Sequence, residues 1–210
     1  MKTLQALLTD VQHALYQSAG PGVQIYSQDT IIRHINEGFK HCYRAEWWPQ
    51  FLRRERRVLD ETTGKITATL THITQWDDIR HVFREGSPRP LMQLPPSLST
   101  FNITGTVPKY IEASDTGLFT IYPLEAEGSI EVVGRKSYSD FILTDTVPFD
   151  DLALVHYAAW AYFADDGANP ASAAKHQGLF ESRMKKLRDD SFSHAIPLNP
   201  DAGDIPDRWF

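Results

Sequence analysis

The sequence is short of the residues on which most small-protein chemistry depends. It contains a single cysteine, Cys42, so no intramolecular disulfide can form, which fits assembly in a reducing cytoplasm. No stretch is long and apolar enough to cross a bilayer. The segment from Met1 to Tyr16 is amphipathic and lacks a signal-peptide core, so neither membrane nor secretion is expected. Cations are in the minority: 21 Lys and Arg against 27 Asp and Glu leave a formal net charge of −6. A protein that holds nucleic acid by general electrostatics leans the other way. An acidic protein can nevertheless line a channel along which DNA slides without sticking.

Catalytic and cofactor signatures are also missing. There is no G-x-x-x-x-G-K-[ST] or G-x-G-x-x-G phosphate loop, no H-E-x-x-H and no G-x-S-x-G elbow. No Cys/His cluster has zinc-site spacing, and His34, His41, His72 and His81 read as structural or solvent-facing. Cys42 falls on the apolar stripe of a helix and reads as a buried, inert thiol. The pairs Asp77-Asp78, Asp150-Asp151, Asp165-Asp166 and Asp189-Asp190 mostly flank expected helices, where capping and solvation account for them. The expectation is a protein that is not an enzyme and carries no cofactor or metal.

What is present is a helical pattern at both ends and a β pattern between them. Leu4, Leu7, Leu8, Val11 and Leu15 share one face of a helix over residues 2–18, which Gly20-Pro21-Gly22 ends. Ile31, Ile32, Ile35, Phe39, Cys42 and Tyr43 predict a second helix over 29–44, capped by Ser27 or Asp29 and stopped at Trp47-Trp48-Pro49. Residues 53–59 and 65–71 read as a hairpin closed at Thr62-Thr63-Gly64. Further short strands are expected near 76–83, 101–103, 107–111, 118–122 and 129–133, with a proline-rich surface connection over 86–96. Short strands at regular spacing suggest a small barrel or sandwich. Helical periodicity returns over 149–164, apolar on nearly all sides and therefore expected to be central, with Gly167 as its cap. Asn169-Pro170 starts a fourth helix whose inward face is Ala173, Gln177, Phe180, Met184 and Leu187.

The fold class is thus α+β: a four-helix bundle from residues 1–50 and 148–190, an antiparallel β insertion over 51–147, and an extended arm over 191–210. The arm is interrupted by prolines yet ends in Ile205-Pro206-Asp207-Arg208-Trp209-Phe210, and Trp and Arg dominate binding hot spots. Ile205, Pro206, Arg208, Trp209 and Phe210 are therefore expected to dock on a partner. The run Arg53-Arg54-Glu55-Arg56-Arg57 is the one dense basic cluster. It reads either as a solvated strand with cross-strand ion pairs or as an ionic contact with an acidic partner or DNA phosphates. The nearby Trp47 and Trp48 favour an interface.

Several stretches occur in an order that resembles one family. They are Ile31 to Phe39 followed by Trp47-Trp48; the G-x-x-P-x-Y segment Gly105 to Tyr110; Phe119-Thr120-Ile121-Tyr122-Pro123; Pro148 to Leu152; and Asp165 to Ala171. Over roughly residues 1–190 this pattern is similar to the head-to-tail adaptor (connector, or head-completion) proteins of tailed bacteriophages. The resemblance implies a homo-oligomeric ring, a dodecamer following portal symmetry. It further implies docking on the portal protein, a platform for tail, nozzle or further neck proteins, and a lumen through which DNA passes without sequence-specific binding. It places the protein in the virion neck after assembly in the host cytoplasm, and makes residues 191–210 the portal-embracing arm.

Overall fold

Apolar periodicity sets the helices. In the computed structural model, which describes residues 1–19, 27–60, 62–98, 103–114, 117–166 and 169–193, four helices and two small sheets make an α+β protein. The helices are α1 (Leu4–Ala19), α2 (Gln28–Ala45), α3 (Asp151–Asp166) and α4 (Pro170–Ser193). The chain divides into two compact units, Met1–Glu46 with Asp140–Phe210, and Trp47–Ser139.

In the helical unit the five α1 residues expected on one face, Leu4, Leu7, Leu8, Val11 and Leu15, are all buried. α3 touches each of the other three helices and buries Ala153, Leu154, Ala158, Ala159, Tyr162 and Phe163, as its all-round apolar sequence demands. Gly38 of α2 is fixed by that packing: a Cβ there would meet the Tyr157 ring of α3 at 2.7 Å. The inward face of α4 differs from expectation. Phe180 and Met184 are buried, but so are Ser172 and His176, while Ala173, Gln177 and Leu187 are half-buried. The cause is polar pairing, because Ser172 Oγ donates to the Ser18 carbonyl and His176 Nε2 lies 2.9 Å from Ser18 Oγ.

The helix starts are polar. Asn169 Oδ1 accepts from the Ser172 amide at 3.0 Å, the capping expected of Asn before Pro170. Asp150 Oδ1 accepts from the Ala153 amide at 2.9 Å. The Asp150 carboxylate also takes a two-pronged ion pair from Arg183 of α4, Nε–Oδ1 at 2.9 Å and Nη2–Oδ2 at 2.6 Å. One acid thus caps α3 and ties it to α4.

The β unit holds strands β1 (Leu52–Val58), β2 (Ile79–Arg84), β3 (Met92–Gln93), β4 (Tyr110–Ala113), β5 (Phe119–Tyr122) and β6 (Ser129–Arg135). They form two three-stranded sheets, ordered β1-β6-β2 and β3-β4-β5, and no closed barrel among the described residues; the first is antiparallel, but β3 pairs parallel with β4, so the second is mixed rather than the antiparallel sheet expected. The hairpin expected between 53–59 and 65–71 does not form. β1 pairs antiparallel with β6, Leu52 opposite Arg135 through Val58 opposite Ser129, and residues 65–71 contribute only a bridge from Ile66 to Leu59. The long-range pairing wins because Ile130 and Val132 bring wholly buried side chains, whereas the 65–71 segment buries only Leu70. Leu59, Ile73, Val82, Phe119, Ile121 and Ile130 belong to one core serving both sheets. Outer edges are covered locally: Thr67 donates its amide to Val58, and Leu91 donates to Val82. Of the strand expected at 101–103, only Ile103 is described, and it is not in a strand; the Gly20-Pro21-Gly22 turn and the Gly167 cap lie outside the described residues.

Candidate interaction surface

β1 carries the basic run and sorts it by strand alternation. Glu55, only 6% exposed, faces inward. Its carboxylate accepts from the Thr71 and His72 amides, each at 2.7 Å, and from Arg57 Nη2 at 2.7 Å. Burial pushes this acid up, but the two amides and Arg57 more than offset that and hold it below the usual carboxylate range. Arg57 continues to the Thr69 carbonyl and Thr71 hydroxyl. Glu55 and Arg57 together therefore pin the 69–72 segment along β1.

Arg54 pairs with Glu131 at 3.2 Å and Arg56 with Glu85 at 2.5 Å, both in solvent. Arg53 differs: it donates to the carbonyls of Gln50 and Leu52 and makes no ion pair among the described residues. The two tryptophans also part company. Trp48 is 1% exposed, a core residue, while Trp47 is half-buried. The Arg135 guanidinium lies 4.4 Å from the Trp47 ring centroid and that of Arg80 lies 5.7 Å away. Asp78 pairs with Arg135 at 3.4 Å and accepts from Ser137. At the same sheet end Lys136 Nζ sits 5.0 Å over the Tyr138 ring, which packs edge-on against Phe51 at 5.7 Å. Burial raises the Tyr138 phenol above its ordinary value, against the lowering field of Arg53.

At this end of the sheet Arg80 and Arg135 thus gather at Trp47, while Lys136 lies over Tyr138, whose phenol also feels Arg53. Arg80, Arg135 and Lys136 were not evident from sequence, because they join Arg53 only once β2 and β6 are aligned with β1. Gly134 permits this junction, since a Cβ there would drive into the backbone carbonyl of Asp78. The arm residues Ile205, Pro206, Arg208, Trp209 and Phe210 lie outside the described residues. Residues 191–193, the expected start of the arm, are still part of α4.

The titratable groups of the helical unit sit in structural contacts. Cys42 is wholly buried, and its thiol is pushed up to about 12 by burial first and then by the Asp150 charge. His34 is 2% exposed and lies 3.3 Å from Glu37 Oε2 and 3.3 Å from Asp165 Oδ2, the latter out of hydrogen-bond alignment. His156 and His176 meet Nδ1 to Nδ1 at 3.3 Å. Among the described residues no group of three or more His, Cys, Asp or Glu is placed to hold a metal ion, and no helix is long and apolar enough to cross a membrane.

In this α+β scaffold the buried charges serve capping and clamping, Asp150 with Arg183 and Glu55 with Arg57. A family model described as SU10 adaptor protein matches residues 2–200, and the chain belongs to that family of phage structural adaptors. The resemblance read from the ordered motifs is therefore borne out, and membership weighs against an enzymatic role. No curated protein matches the chain.

Proposed function

We propose that this protein is a head-to-tail adaptor that assembles as a ring, a dodecamer, on the portal of a tailed phage. The observation that carries this reading is the family match over residues 2–200. In this reading the helical unit is a bundle, the β unit is an insertion between its two halves, and the residues after α4 form an arm. The ring extends or seals the DNA channel and offers a platform to tail, nozzle or further neck proteins. DNA passes without base-specific contact, in keeping with a net charge of −6. Assembly takes place in the host cytoplasm, and the finished protein resides in the virion neck. The arm anchors the ring through Ile205, Pro206, Arg208, Trp209 and Phe210, an aromatic and arginine tip suited to filling pockets on the portal.

The test is the mass of the purified protein by light scattering, alone and mixed with cognate portal rings. A ring-on-ring complex is expected. A protein that never joins the portal overturns the reading. Deleting the last six residues should abolish portal binding while far-UV circular dichroism stays unchanged; undiminished binding would refute the arm assignment.

A further inference from the structure

The helical unit leaves an apolar groove open between α1 and α4, floored by α3. One face of α3 runs through Leu152, His156, Ala159 and Phe163, spaced by three and four residues. Its far end is closed: Phe163 is 1% exposed and stacks on His176 of α4, whose Nε2 lies 2.9 Å from Ser18 Oγ of α1. Ser172 Oγ also donates to the Ser18 carbonyl at 2.9 Å, so α1 and α4 meet over this end. The near end is open, because Leu152 is 55% exposed. Two ties join α4 to α3 on either side of that opening, His156 with His176 and Asp150 with Arg183. Leu179 lies between the ties on α4 as Leu152 does on α3, and it is 41% exposed.

The α4 rim of this groove is cationic. Helical spacing puts Lys175, Leu179 and Lys186 on one flank of α4. Both lysines are exposed, and neither makes an ion pair among the described residues. Asp150 and Asp151, at this end of α3, are engaged by Arg183 and by the Lys2 amide, and Asp190, a turn beyond Lys186, acts on Arg183. Exposed leucines rimmed by lysines suit a segment that is both apolar and acidic. The chain supplies one directly after α4. Residues 194–210 carry Asp201, Asp204 and Asp207 at three-residue intervals, with Ile205 and Pro206 among them and Arg208 as the one Lys or Arg. In a polyproline helix, which Pro200 and Pro206 favour, residues three apart share a side, and Asp201 would lie about 19 Å from Asp207. Lys175 and Lys186 are about 17 Å apart along α4. The residues from Ser193 to Asp201 can reach about 25 Å, against about 10 Å back to Lys186.

We propose that residues 201–207 fold back onto their own helical unit, Asp201 pairing with Lys186 and Asp207 with Lys175, while Ile205 and Pro206 cover Leu179 and Leu152. The occupant is the chain's own arm rather than a second copy, because so short a tether holds the segment at an effective concentration on the order of millimolar. Covering the groove withdraws Ile205 and Pro206 from the portal, so the latch opens when the arm docks there. That last step rests on the portal reading above; the contact itself does not.

The test is zero-length carbodiimide cross-linking of the full-length protein, with the linked peptides identified by mass spectrometry. Links from Lys186 to Asp201 and from Lys175 to Asp207 are expected within single chains. Lys185, about 100° round the helix from Lys186, is the internal control and should link about tenfold less. Leu152→Asp/Leu179→Asp keeps both lysines and changes only exposed side chains; it should reduce the links about tenfold with far-UV circular dichroism unchanged. Absence of links to residues 201–207, links confined to covalent dimers, equal linking from Lys185, or links that survive the double substitution each overturn the contact. Cognate portal rings should remove the links as they bind. Links that persist in portal-bound protein overturn the release step. Links formed by a protein that never joins the portal keep the latch and overturn the portal reading.

Discussion

The helical unit and the β unit are held by different means. In the helical unit cohesion is spread over many apolar side chains along four helices, and polar groups fasten the ends: Asp150 with Arg183, Ser172 with Ser18. In the β unit a smaller core is joined by sheets of seven residues or fewer per strand, and a buried carboxylate, Glu55, secures an irregular segment that has no ladder of its own. Spread-out cohesion yields in proportion to the apolar volume removed. Cohesion through one satisfied polar group fails abruptly when that group is lost, because its former partners stay buried and unpaired.

The largest effect is expected at Phe163, 1% exposed in α3 and packed against Tyr162 and His176. Phe163→Ala should cost about 3–5 kcal/mol by urea unfolding. Amide exchange should quicken throughout α1, α3 and α4; equal loss of protection in β1 and β6 would show that the two units unfold as one. Next comes Glu55→Ala, expected to cost about 2 kcal/mol by stranding two part-buried amides and Arg57. Exchange at Thr71 and His72 should rise first. Glu55→Gln keeps an acceptor and should cost less than half as much, and an equal cost would mean that charge matters more than hydrogen bonding.

The same contrast governs what the sequence discloses. Helical faces are local, so the stripes Leu4 to Leu15 and Ile31 to Tyr43 and the Asn169 cap can be read directly. Strand partners are not local. Residues 53–59 and 65–71 have hairpin spacing and a turn between them, yet β1 belongs with β6, more than seventy residues on. Glu55 lies within a run of arginines, and nothing in that run marks it as the buried clamp. The basic surface is half legible for the same reason. Arg53 stands out in sequence, while Arg80 and Lys136 gain their meaning only from register. His176 was hidden too, its buried position on α4 set by Ser18 on a distant helix.

Acid should separate the units. His176 is 3% exposed, and its imidazole is pushed down to about 4 by burial first, then by His156 and Lys175. His156 is likewise lowered by burial and by Lys175, with Asp150 opposing. A histidine with a lower pKa folded than unfolded binds more protons in the unfolded chain. Its contribution is therefore intact above about pH 6.5 and is lost progressively as pH falls toward 4. The loss for the helical unit should be about 2 kcal/mol. Glu55 is lowered instead, so the β unit keeps that clamp until pH drops below the ordinary carboxylate range, with only a small earlier contribution from half-buried His81, lowered by burial and Arg80. His176→Gln should flatten the pH 6.5–4 slope of α1, α3 and α4 protection. An unchanged slope would place the acid sensitivity elsewhere.

The smallest effect sharpens the comparison within the β unit itself. Arg54 is 72% exposed, and its ion pair with Glu131 is open to water and salt. Arg54→Ala should change stability by less than about 1 kcal/mol, because solvent screening and side-chain entropy consume most of what such a pair gains. Arg57→Ala, three positions along the same strand, removes a partly buried partner of Glu55 and should cost clearly more, about 1–3 kcal/mol. Both arginines belong to one basic run, so a difference between them measured by urea unfolding isolates burial of the partner as the cause. Equal losses would mean that the run acts as one electrostatic body, and the distinction between a clamp facing inward and a pair facing water would fall.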